Sequence, residues 1–243
     1  PASPTEEITR LVRILAADEM MGRGVGTPGI DLARDYIAAE FRQSGGLLPG
    51  GDGQSYLQRL DVVTGVEIKQ PSVARITGLG ELNLDADWIP LGLSGSGAVG
   101  GELVFVGYGI TAKEYGYDDY AGIDARGKIV LALRYEPPPR DGKSPFRQPP
   151  DASDHAALRT KIANAQRHGA LGLVLVDLQP TGDGEDELIP TRRSIGPNQA
   201  GMIAVQVRRD LVERRLNAGG LSLSELKDKI DRGERPHSLP ISN

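Results

Sequence analysis

The residues of this sequence best placed by type to do chemistry are three histidines, His155, His168 and His237, and a scatter of carboxylates. A hydrolytic metal centre needs imidazoles and carboxylates converging on an ion that activates water. Each histidine has a structural reading instead. His155 falls in the first turn of a helical segment, and His168 at a helix C-terminus, where a cation is favoured. His237 sits beside Pro236 in a tail. The single Glu-Glu pair, Glu6-Glu7, lies in a helix's first turn. The sequence therefore offers no metal-ligand set and no catalytic residue. It contains no cysteine, which excludes thiolate sites and disulfides.

Three near-motifs fall on context. Gly24-Val25-Gly26-Thr27-Pro28-Gly29 fits a dinucleotide fingerprint in letters, but that fingerprint follows a strand and these glycines follow a helical stretch. Gly142-Lys143-Ser144 resembles the end of a phosphate loop, yet Pro137 stands where the leading glycine belongs. Gly92-Leu93-Ser94-Gly95-Ser96 almost forms a nucleophile elbow without the closing glycine or a base.

The elements that would position any site are legible as patterns. Ser3-Pro4-Thr5-Glu6-Glu7 is a helix start with hydroxyl cap, first-turn proline and acids. Ile8, Leu11, Val12 and Leu15 make one apolar face, and Ile30, Ala33, Tyr36, Ile37 and Phe41 make a second after the Gly22–Gly29 break. This predicts a helical hairpin ending at Gly45-Gly46. Residues 55–87 read as β-structure, and 91–101 as loop. Leu103 to Val106 and the unbroken run Ile129-Val130-Leu131-Ala132-Leu133 read as strands, the second covered on both faces. Between them stands an aromatic and acidic loop, Tyr117-Asp118-Asp119-Tyr120. Residues 136–150 hold six prolines and cannot be a regular element. A helix over 157–168 followed by a strand over 171–176 predicts a βαβ crossover. A strand over 203–207 and helices over 210–216 and 222–230 follow, the last with a Ser222–Glu225 capping box.

Composition sets the class. The chain has 243 residues, 39% apolar and 25% charged, with net charge −5. This is a globular composition with no run long enough to span a bilayer, and its acidity excludes a nucleic-acid partner.

The stretches VFVGYGI, YDDYAGIDARGKIVLAL and the helix before GALGLVLVD resemble, in that order, the protease-associated (PA) domain inserted in zinc aminopeptidases of the glutamate carboxypeptidase and transferrin receptor type. LVRILAADEMMGRGVGTPGIDLARDYIAAEF resembles the start of those peptidases. The resemblance implies an α/β fold of mixed α+β character: a PA-type β/β/α sandwich with a mixed sheet, plus the helical hairpin. It implies residues 1–70 as the N-terminal hairpin and β segment of the peptidase domain, 71–235 as the PA domain, and 236–243 as a linker to a catalytic half. That half would carry two zinc ions, beginning with a His-x-Asp that none of the three histidines supplies, so no cofactor is expected within this chain.

The function so implied is non-catalytic, a roof over the peptidase cleft that shapes access of a peptide or protein substrate. The alternative is a free-standing PA-type interaction module. Arg192 and Arg193 are candidates for a substrate carboxylate, against the plainer alternative that they neutralise the acidic cluster of Asp183, Glu185, Asp186 and Glu187. Arg23 is a third candidate contact, against a structural role in its turn. The implied partner is the peptidase catalytic domain, the hairpin face offers a surface for dimerisation, and the implied location is secreted or periplasmic.

Overall fold

The structure, a computed structural model, describes residues 3–45, 49–50, 53, 55–62, 65–139, 146, 153–178, 186–191, 201–233 and 238–241. The chain divides into two compact units, Pro1–Thr64 and Gly65–Asn243.

In the first unit α1 (Pro4–Leu15) and α2 (Pro28–Ser44) form the two helices of the predicted hairpin. Ser3 and Glu6 make a reciprocal capping box, with the Ser3 N–H 2.8 Å from Glu6 Oε2 and Glu6 N 3.3 Å from Ser3 Oγ. Those bonds favour the ionised form and hold the Glu6 carboxyl below its ordinary range. Ser3→Ala is expected to speed amide exchange in the first turn of α1 about fivefold. Unchanged exchange would show that the cap contributes nothing. Arg10 ties the helices together, donating to Tyr36 Oη at 2.9 Å and to Glu40 at 3.0 Å while pairing with Glu7 on its own helix. Between the helices a 3-10 turn, Asp18–Arg23, packs against α2 at Gly29, where a Cβ would lie 2.0 Å from the Met20 carbonyl oxygen. No residue of α1 is buried.

The second unit is a mixed α/β fold. Its centre is a six-stranded sheet. In chain order the strands are β3 (Trp88–Pro90), β4 (Leu103–Phe105), β7 (Ile129–Leu133), β8 (Gly172–Val176), β9 (Ile203–Val207) and β10 (Leu239–Ile241), and across the sheet they run β10-β4-β7-β8-β9-β3. The inner four are parallel; both edges are antiparallel. Two hairpins stand apart, β1 (Ala74–Ile76) with β2 (Gly80–Leu82) and β5 (Thr111–Ala112) with β6 (Tyr117–Asp118).

Alternation along the strands builds two cores. Phe105, Leu131, Leu133, Val176 and Val207 pack with Leu211, Val212 and Leu216 of α4 (Arg209–Ala218) and Leu223, Leu226 and Ile230 of α5 (Leu223–Asp231). On the other side Val104, Val130, Ala132, Leu173, Leu175 and Ala204 pack with Ile162 and Ala165 of α3 (Leu158–Arg167). The Ile129–Leu133 run is thus covered on both faces, as its unbroken apolar character predicts, and α3 is the crossover between β7 and β8.

Two expectations are corrected. Among the described residues of 56–73 no strand forms; Leu57, Leu60 and Val62 are exposed, and the first strand begins at Ala74. Apolar alternation without a neighbouring edge to pair with does not make a strand. Residues 236–243, read as a linker, contain β10, which pairs with β4. Trp88–Pro90, at the margin of the predicted loop, is the opposite edge strand. Each of these edges carries a proline, Pro240 and Pro90, which blunts it against further pairing. The Pro90 carbonyl is in addition capped by the Thr191 hydroxyl at 2.8 Å.

Candidate functional site

The aromatic and acidic loop and the end of β4 meet over α3 in a buried polar cluster. β4 leads into Gly107-Tyr108-Gly109, with φ of +52° and +66° at the two glycines. A Cβ on Gly107 would stand 2.6 Å from Asp119 Oδ1, so this carboxylate closes directly on the glycine backbone. Asp119 is 7% exposed. Its Oδ2 accepts from the Ile110 N–H at 3.0 Å and its Oδ1 from the Tyr117 hydroxyl at 2.7 Å. From below, α3 contributes Lys161, whose Nζ donates to the Tyr108 carbonyl, and Asn164, whose Nδ2 donates to the Gly109 carbonyl at 3.1 Å. Lys161 is fully buried. The two positive-φ glycines turn these carbonyls away from the ladder, and the helix supplies their donors.

Electrostatics bind the cluster. Burial pushes the Asp119 carboxyl up, opposed by the Ile110 and Tyr117 hydrogen bonds and by the Lys161 charge. Burial pushes the Lys161 amine down, opposed by Asp119 and Glu136. Glu136 is 2% exposed and accepts from the Ser153 N–H at 3.3 Å and from the Ser153 hydroxyl. It thereby joins the start of the proline-rich stretch to the residue that opens the next helical turn. Phe146, the one described residue between 140 and 152, packs edge-on against Tyr117 at 5.0 Å, Tyr115 at 5.6 Å and His155 at 5.9 Å. Enclosed carboxylates and an enclosed amine that bond to backbone and hydroxyl groups brace a turn.

His155 and His168 likewise make contacts within the fold. His155 Nε2 lies 2.9 Å from Glu114 Oε1. His168 stacks on Tyr120 with centroids 4.1 Å apart and approaches Thr111 Oγ1 at 3.2 Å. His237, Arg192 and Arg193 lie outside the described residues. Arg23 donates Nη1 to the Leu15 carbonyl at the end of α1, a capping role within its own unit. Ser94, the false nucleophile, accepts from the Ala204 N–H at 3.0 Å and donates to the Gly95 carbonyl, which pins its loop to β9. Among the described residues no three His, Cys, Asp or Glu side chains gather where a metal ion could be held.

A cleft of about 680 Å³ opens on the face that α4 and α5 cover only in part. Its floor is Trp88 with Val174, Val205 and Val207 of the sheet, and its walls come from residues 66–76 and 90–99. Val174 and Val205 are registered partners on central strands, yet both are only half-buried. Sequence reasoning missed this feature because Trp88 lies in a three-residue strand, too short to show a period.

The fold thus defines an α/β module in which the buried Asp119, Lys161 and Asn164 cluster braces the Gly107-Tyr108-Gly109 turn. A PA domain is found at residues 99–214, which match the model of that family. The match takes in β4 through most of α4, while edge strands β3 and β10 and helix α5 lie outside it and complete the sheet and its cover. No curated protein matches the chain.

Proposed function

We infer that this chain is the PA-bearing part of a secreted, zinc-dependent aminopeptidase-like protein, in which the PA domain roofs the catalytic cleft and shapes substrate access. The PA domain at 99–214 supports the association with a peptidase. The observation that carries the rest is the helical hairpin that precedes it in sequence. Helix α1 buries nothing, with Ile8 and Val12 60% or more exposed, and Ile37 and Phe41 of α2 are exposed as well. An amphipathic pair with uncovered apolar faces needs a partner surface, and a peptidase catalytic domain is the partner that fits the order of elements. The described residues do not fit a zinc site, so the ions of such an enzyme would be held by other residues.

In this reading Arg192 and Arg193, which lie outside the described residues, would pair with the carboxylate of an acidic substrate. Replacing both by alanine in the complete enzyme is expected to raise KM for acidic substrates about tenfold and leave kcat for neutral ones unchanged. Equal KM values before and after would remove them from the site.

A further inference from the structure

Residues 186–191 belong to no strand of the sheet, yet four hydrogen bonds between side chains and backbone fasten them to β9, β3 and the start of α4. Gln206 makes two of the four. Alternation along β9 puts it on the same face as Ala204, among apolar side chains, and it is fully buried. A buried amide is costly unless both its ends are bonded. Its Nε2 donates to the Glu187 carbonyl at 3.0 Å, and its Oε1 accepts from the Ile189 N–H at 2.8 Å. A carbonyl and an N–H two residues apart are what a neighbouring parallel strand would engage, so this side chain stands in for a ladder. Ile189 packs on the same core. Asp186 accepts from the Arg209 N–H in the first turn of α4, where the residue before the helix supplies no side-chain cap. Thr191, 8% exposed, donates its hydroxyl to the Pro90 carbonyl at 2.8 Å.

The next residues in the sequence are Arg192 and Arg193. We propose that Gln206 and Thr191 are positioning residues, which fix the point beside β9 and β3 from which the chain enters Arg192-Arg193 and so set the reach of that pair toward a substrate carboxylate. A segment held only to cover the core would need no bond beyond Ile189. Here the bonds continue to Thr191, the last residue before the pair, and end on the carbonyl of an edge strand. The positioning role rests on the reading of the arginine pair as a substrate contact; the anchor itself does not.

Trypsin cuts after arginine, and its rate at Arg192 and Arg193 tracks how often the residues before them open. Thr191→Val keeps the shape and loses the hydroxyl; it is expected to speed cleavage there about fivefold, and Gln206→Leu about tenfold, with rates at other sites unchanged. Thr191→Ser, which keeps the hydroxyl, is expected to match the parent. In the complete enzyme Thr191→Val is expected to raise KM for acidic substrates about threefold at unchanged kcat, and to add nothing once Arg192 and Arg193 are alanine. Equal tryptic rates in the parent and both variants, or Thr191→Ser behaving as Thr191→Val, would overturn the anchor. Faster cleavage with unchanged KM in Thr191→Val, while the double-alanine protein shows its raised KM, would overturn the positioning role. An unchanged KM in the double-alanine protein would instead remove the substrate reading and the positioning role with it, and the tryptic rates would still decide the anchor.

Discussion

Lys161→Met is expected to destabilise the protein by about 3 kcal/mol at about pH 8, and by distinctly less at about pH 5. Methionine keeps the length of the buried stem, so the loss isolates the ammonium group. Without it the Tyr108 carbonyl has no donor from α3, and Asp119 loses the charge that opposes its burial. The Asp119 carboxyl, already raised above its ordinary value of 3.8, rises further. A folded-state value above the unfolded one means that the native protein holds the extra proton. Its stabilising contribution is complete below the unfolded value and is lost as pH climbs toward the folded one. The variant should therefore regain stability on acidification, while the parent, with its charges mutually compensated, changes less. Urea unfolding of both proteins at the two pH values measures this. A loss below about 1 kcal/mol that is the same at both would show that Lys161 is not partnered as described.

Gly107→Ala carries the second large effect, expected at about 3 kcal/mol, against about 1 kcal/mol for Gly116→Ala. Both glycines have positive φ, +52° and +61°, so both substitutions strain the backbone alike. Only at Gly107 does the new methyl meet a wall, with Asp119 Oδ1 at 2.6 Å, Asp119 Cγ at 2.9 Å and Ile230 Cδ1 at 3.2 Å; at Gly116 the space is open. The difference between the variants reads the closure of Asp119 on the turn. Equal losses would contradict it.

Much of this architecture was legible in the sequence, and the reasons for the exceptions are physical. The Ile129–Leu133 run, the amphipathic 158–167 helix and the Ser3 cap each carry a local signal strong enough to stand without tertiary context. Edge strands of three residues containing Pro90 or Pro240 carry almost none, since period-two alternation needs more positions and proline argues against a ladder. Lys161 reads as the polar face of α3, and its burial became visible only when the Gly107-Tyr108-Gly109 turn was placed over it. The aromatic and acidic loop stood out as a motif, but the division of labour between Asp118, which accepts from Thr111 and Tyr120, and Asp119, which closes on Gly107, depends on three dimensions. The pattern of 56–68 misled because apolar alternation records a wish for burial and not the presence of a partner strand.

Whether this chain is part of a zinc-dependent peptidase, as proposed, is decided by isolating the protein from its source, weighing it intact, and assaying aminoacyl-anilide hydrolysis before and after chelation. The expected result is a species much heavier than 25.9 kDa whose hydrolysis is lost with chelator and restored by zinc. A native species near 25.9 kDa with no hydrolytic activity would contradict it and leave a free-standing PA-type binding module.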